Sequence, residues 1–179
     1  MACISKLTSA INYDCDSGAT GLVSAIIINK SDIASFTSDA SGVATITLAP
    51  GAKAYKIDTV KRSLVLSTAL KINDGAPNAN THTANMTVTY ADQTSVLSYI
   101  MNAFTNGSFV IVAKTANSSA RAGVYGLYYG LSATGIDRSS HDNGGWTTVT
   151  LETPENVIGE DTCFMEVGPY QALLDAAVG

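Results

Sequence analysis

Residues 90–114 read YADQTSVLSYIMNAFTNGSFVIVAK, and the change of period inside that stretch decides the fold. Val96, Leu97, Ile100, Met101 and Phe104 recur at helical spacing, with Ser95, Ser98 and Asn102 on the other side. That pattern predicts one short amphipathic helix with a single apolar stripe. Asp92 or Thr94 is placed to accept from the first free backbone N–H groups, and Gly107, after Asn106, is expected to end the helix in a left-handed conformation. Phe109 to Ala113 is continuous, apolar and rich in β-branched residues, yet too short for a helix, so it predicts a central buried strand. The rest of the chain reads as strands for this pair to cover.

Immediately before the helix lie the two longest alternating runs. Residues 63–72 place Leu64, Leu66, Leu70 and Ile72 on one face, with Ser63, Val65, Ser67, Ala69 and Lys71 on the other. Residues 81–90 place Ala84, Met86, Val88 and Tyr90 against Thr81, Thr83, Asn85, Thr87 and Thr89. The turn-rich NDGAPNAN between them makes a long hairpin with one apolar side and one side of small polar groups. An ordinary solvated sheet face is one reading of that polar side. Solvated faces are usually rich in Lys and Glu, however, and this one is mostly hydroxyl and amide, which suits a surface that must be wet without being sticky.

Further out, residues 22–28 and 43–48 predict strands, the second alternating Ala44, Ile46 and Leu48 against Val43, Thr45 and Thr47. Residues 29–42 read as a turn-rich connection, and 55–60 as another short strand. Residues 1–20 read as an N-terminal arm or loop. Beyond the helix, GVYGLYYGL at 123–131 predicts one strand with Gly123, Tyr125, Leu127 and Tyr129 on one face and Val124, Gly126, Tyr128 and Gly130 on the other. A turn ending in Asn-Gly precedes a strand at 146–151, and residues 152–179 form an acidic tail with a small helical end. The expected class is mainly β (α+β): a single domain over residues 1–179, an antiparallel β-sandwich or half-barrel with one flanking α-helix.

Composition excludes several functions. A net charge of −5 argues against wrapping nucleic acid, and no apolar run approaches the ~20 residues that span a bilayer. The first ten residues carry one lysine and no long apolar core, so no signal peptide is read there. Cys3, Cys15 and Cys163 lack any paired spacing, so free thiols are expected, with a Cys3–Cys15 disulfide as the alternative. His82 and His141 have no metal-ligand spacing, and neither a phosphate loop nor a nucleophile elbow occurs. No enzyme, cofactor or metal is expected; His141 and Asp142 with Cys163 would make a catalytic set only if folding brought them together.

The order of elements and four short motifs, Ala54-Tyr55-Lys56, Tyr125-Gly126-Leu127, Gly130-Leu131 and Asn143-Gly144-Gly145, resemble the tail tube proteins of tailed bacteriophages. They are similar in particular to tube-like proteins in phages of Bacteroides-type hosts, over residues 43–151. The resemblance implies a tail-tube-like β domain whose six subunits close into a ring, with rings stacked into a tube that conducts the genome. It implies self-assembly, contact with other phage tail proteins, DNA that passes without specific binding, no membrane anchor, and a place in the virion tail after assembly in the host cytoplasm. The polar hairpin face, Ser63, Ser67, Thr81, Thr83, Asn85, Thr87 and Thr89, would then line the lumen. Two alternatives stand beside it: another virion part (head decoration, connector or tail terminator), or a carbohydrate-binding, adhesin-like β-sandwich using exposed tyrosines and Trp146.

Charge placement adds an expectation about stacking. Residues 1–138 hold ten basic and eight acidic side chains, a net of +2, whereas residues 139–179 hold seven acidic ones and no base. Head-to-tail contacts between Lys53, Lys56, Lys61 and Arg62 on one copy and Glu155 and Glu160 on the next would follow; a plain acidic surface that keeps the subunit soluble is the alternative.

Overall fold

Two adjacent antiparallel strands, β1 (Leu22–Asn29) and β7 (Ser108–Thr115), form the middle layer, paired through Ala25↔Ala113 and Ile27↔Ile111. Both are buried on both faces, which is why their sequences read as continuous apolar runs. In this computed structural model, which describes residues 21–59, 63–88, 95–116, 120–138 and 146–178, the protein is 54% strand and 16% helix, a β-sandwich with helical flanks. The other strands in chain order are β2 (Ile33–Ser38), β3 (Ala44–Leu48), β4 (Tyr55–Ile57), β5 (Leu64–Lys71), β6 (Ala79–Val88), β8 (Arg121–Tyr125), β9 (Leu131–Arg138), β10 (Thr147–Glu152) and β11 (Cys163–Glu166). The helices are α1 (Ser95–Asn106) and α2 (Val167–Ala176).

The large sheet runs β11-β8-β7-β9-β10-β6-β5, with β1 and then β4 branching from the other side of β7. It curls upon itself because β9 pairs with β7 only at Ser108↔Ser132 and Phe109↔Leu131 before continuing with β10 through an irregularity at Thr150/Leu151. One apolar cluster fills the curl: Ala25, Ile27, Phe109, Ile111 and Ala113 meet Leu64, Ala84, Met86, Leu131, Val149 and Leu151. The second lies across the middle layer, where Ile26, Ile28, Val110 and Val112 meet Ala44 and Ile46 of the small β2–β3 sheet, Met165 of β11 and Tyr170 of α2.

Helix α1 matches its expected span, and Met101 and Phe104 pack on the first cluster, Phe104 edge-on to Phe109 at 5.3 Å. Asp92 and Thr94 lie outside the described residues. Gly107 does not take a positive φ; glycine is required there because a Cβ would lie 2.5 Å from the Phe109 ring and 2.6 Å from Ala103 O.

Several expectations need correction. The stretch read as a connection holds β2, whose Ile33 and Phe36 cover the second cluster. Residues 123–131 are not one strand: β8 and β9 run in the same direction along β7, but residues 126–130 are pinched out between them. Gly130 N–H donates to Gly126 O at 3.0 Å, and both glycines have positive φ (76° and 79°). Nor is 152–179 a tail. Cys163, Met165 and Tyr170 are core residues, the Tyr170 hydroxyl donates to Ser24 Oγ at 2.8 Å, and a second helix flanks the sheet.

Candidate assembly face and the polar knot behind it

Register places four strands on one outward face. Thr83, Asn85 and Thr87 of β6 stand beside Glu152, Thr150 and Thr148 of β10, and Thr148 stands beside Asp137 of β9. On the other side of β6, Val65, Ser67 and Ala69 of β5 stand beside Asn85, Thr83 and Thr81. Thr150 Oγ1 donates to Asn85 Oδ1 at 2.9 Å, linking two strands through side chains. The hairpin's polar face thus extends onto β9 and β10, a continuation that alternation within single strands cannot reveal. Ser63 sits at the face's margin with its hydroxyl donated to Asp58 O at 2.6 Å, and Thr89 lies outside the described residues.

Charge on this face is sparse and acidic, from Glu152 and Asp137. Lys71, the one charged residue of β5, turns its ammonium onto the carbonyls of Pro154, Glu155 and Val157 at 3.5, 2.9 and 2.6 Å. It therefore anchors the 154–157 segment and does not guard the strand edge as lysines often do.

The apolar side of the hairpin is only half covered. Leu64 is buried in the first cluster, but Leu70 and Ile72, expected on the same face, are 67% and 74% exposed. The hairpin outruns the core beneath it.

Behind the face lies a polar knot. His82 is 1% exposed, on the inner side of β6, and its Nδ1 accepts from Gly126 N–H at 3.1 Å. Burial pushes its pKa down to about 4, so the ring is neutral at pH 7 with its proton on Nε2. The Tyr125 ring stands edge-on to it at 5.3 Å. Glu160 is 0% exposed, and its two carboxylate oxygens accept from Tyr128 N–H at 2.8 Å and Tyr129 N–H at 2.7 Å. Burial raises its pKa, while those N–H groups and the nearby Lys30 charge pull it back. Lys30 donates to Leu127 O and lies 4.4 Å over the Phe36 ring, so cation, carboxylate and loop form one unit. The Tyr128 hydroxyl closes the knot on Ser38 Oγ at 2.6 Å.

Glu160 is therefore not a stacking contact; it is sequestered inside its own subunit. Glu155 is exposed beside the hairpin's far end, and Lys53 and Lys56 are exposed at β4, on a different end of the sheet. Lys61 and Arg62 lie outside the described residues, as do His141, Asp142, Cys3 and Cys15. Cys163 is a buried free thiol whose pKa burial pushes up to about 11, which keeps it protonated and poorly nucleophilic. Among the described residues no three His, Cys, Asp or Glu side chains are grouped to hold a metal ion, and no helix is long and apolar enough to cross a membrane. Tyr55, Tyr99, Tyr129 and Trp146 are exposed but lie apart in the chain, on β4, on α1, in the 126–130 loop and just before β10.

Comparison with family models, curated proteins and solved structures finds no match for this chain.

Proposed function

We propose that this protein is a structural subunit of a tailed-phage virion that assembles with its own copies into stacked, hexameric rings forming the tail tube, a conduit for the genome. The observation that carries the reading is the outward face of β5, β6, β10 and β9: mostly hydroxyls with the Asn85 amide, two carboxylates, the small apolar side chains of Val65 and Ala69, and a lysine already bonded to carbonyls. DNA slides past such a wall because, among the described residues, its one lysine is held on backbone carbonyls and its two carboxylates give a weak negative field that repels phosphate. The same composition disfavours catalysis, which needs groups poised to donate or accept protons. On this reading the subunit works in the tail of the virion after assembly in the host cytoplasm, touching its own copies and other tail proteins, with no cofactor.

The β5–β6 hairpin is the element that joins neighbouring subunits. Val88 lies on its inner face, against the first cluster, and Thr87 on its outer face. Val88→Lys is expected to abolish assembly, scored by sedimentation, whereas Thr87→Ser leaves it intact. Circular dichroism of the lysine variant separates failed assembly from failed folding. A folded Val88→Lys protein that assembles normally would overturn the assignment of the two faces.

A further inference from the structure

The large sheet has three ends, and the chain caps two of them itself. At β4, Val178 N–H donates to Ala54 O at 2.9 Å and Lys56 N–H donates to Val178 O at 2.8 Å. At β11, Phe164 N–H donates to Gly42 O at 2.8 Å. At the third end, β5, no described residue pairs with the outer edge. The direction of its backbone groups follows from one bond: Thr87 N–H donates to Ser63 O at 2.8 Å, so odd-numbered residues of β5 bond to β6. Leu64, Leu66, Thr68 and Leu70 consequently turn their N–H and C=O groups outward. An uncharged row of this kind, with its one lysine drawn away, is a template for another strand.

We propose that two copies of this chain pair β5 with β5, antiparallel, about a two-fold axis through Ser67. Register decides the axis. Antiparallel partners point to the same face, so an axis between residues would set the apolar face of one copy against the polar face of the other. With the axis at Ser67, Leu64 faces Leu70 of the second copy, Leu66 faces Thr68, and all four outward residues are used, forming about eight N–H···O bonds. A shift of the axis to Leu66 leaves Leu70 without a strand partner, and a shift to Thr68 moves Leu64 opposite Ile72, beyond the strand's end. The Ser67 register also accounts for an exposed leucine. Leu70, 67% exposed in one subunit, is carried to the partner's Leu64, at the margin of a buried cluster. The contact is isologous and closes upon itself, so it ends growth and does not propagate it.

This dimer does not rest on the tube reading. If the tube reading holds, the dimer stores the subunit with its edge covered, and assembly exchanges that contact for the one in the ring.

The test uses the full chain with Cys3→Ser and Cys15→Ser. Ser67→Cys places two thiols across the axis in a non-hydrogen-bonded pair, within disulfide reach, so mild oxidation is expected to cross-link it about ten-fold faster than Val65→Cys or Ala69→Cys alone. Val65→Cys and Ala69→Cys together should cross-link as readily as Ser67→Cys. Without oxidant, the parent should sediment at twice its 18.5 kDa chain mass, and Leu70→Lys at the mass of one chain with unchanged circular dichroism. A parent that sediments as one chain at concentrations on the order of tens of micromolar would overturn the proposal, as would a Leu70→Lys dimer or Ser67→Cys cross-linking no faster than Thr87→Cys. A single chain whose Leu66 and Thr68 amides resist hydrogen exchange would also overturn it, by showing that the chain covers this edge itself.

Discussion

Glu160→Ala is expected to cost about 3–5 kcal/mol of stability, seen as a fall in Tm of roughly 10 °C. The carboxylate is wholly buried and serves three groups at once: two loop N–H donors and the charge of Lys30. Removing it leaves the Tyr128 and Tyr129 N–H groups without an acceptor, at about 1–3 kcal/mol each, and the ammonium without its counter-charge. Glu160→Gln should fall between, because its amide keeps one accepting oxygen but aims an NH2 at the other N–H. Adding Lys30→Met to Glu160→Ala should recover little, since the loop N–H groups stay unpaired. Thermal unfolding of the four proteins checks this, and a Glu160→Ala loss under about 1 kcal/mol would show that the loop stands without the knot.

The second large effect is acid lability set by His82. Its folded-state pKa of about 4 lies below the ordinary 6.5, so the unfolded chain binds the proton more readily. His82 therefore contributes stability that is fully present above pH 6.5 and is lost as pH falls toward 4, amounting to about 3 kcal/mol. The cause is burial, which disfavours the charged ring, and a protonated Nδ1 would also lose the hydrogen bond it accepts from Gly126 N–H. Glu160 acts oppositely. Its raised pKa means that the folded state holds a proton more tightly, so its own contribution falls as pH rises above 4.5. The difference in stability between the parent and His82→Gln isolates the histidine. That difference should shrink between pH 6.5 and 4; one independent of pH would remove His82 from the account.

Much of the architecture was legible because period and burial coincide. The 109–113 run is buried on both faces, Met101 and Phe104 of the α1 stripe pack on one cluster, and the Ala44/Ile46 alternation covers the other. What stayed hidden depends on long-range partners. Gly126 and Gly130 looked like strand glycines, since their role is to let a five-residue loop leave the strand, and the groups that hold that loop, His82, Lys30 and Glu160, come from far away in sequence. Glu160 looked like one more surface acid in an acidic segment. Its neighbour Gly159, with φ 126° and a Cβ position 2.8 Å from Asn80 O, marks the close approach that buries it. Leu70 takes the expected face of β5 and Ile72 falls beyond the strand's end, and alternation says nothing about whether a core reaches that far. The polar face was legible strand by strand, and only register shows that it continues across β10 and β9.

The central claim, that this chain builds a tube, is tested most directly by electron microscopy of concentrated, untagged protein. Stacked rings extending into long tubes of constant diameter are the expected result. Isolated rings, or particles no larger than a dimer at every concentration, would contradict it.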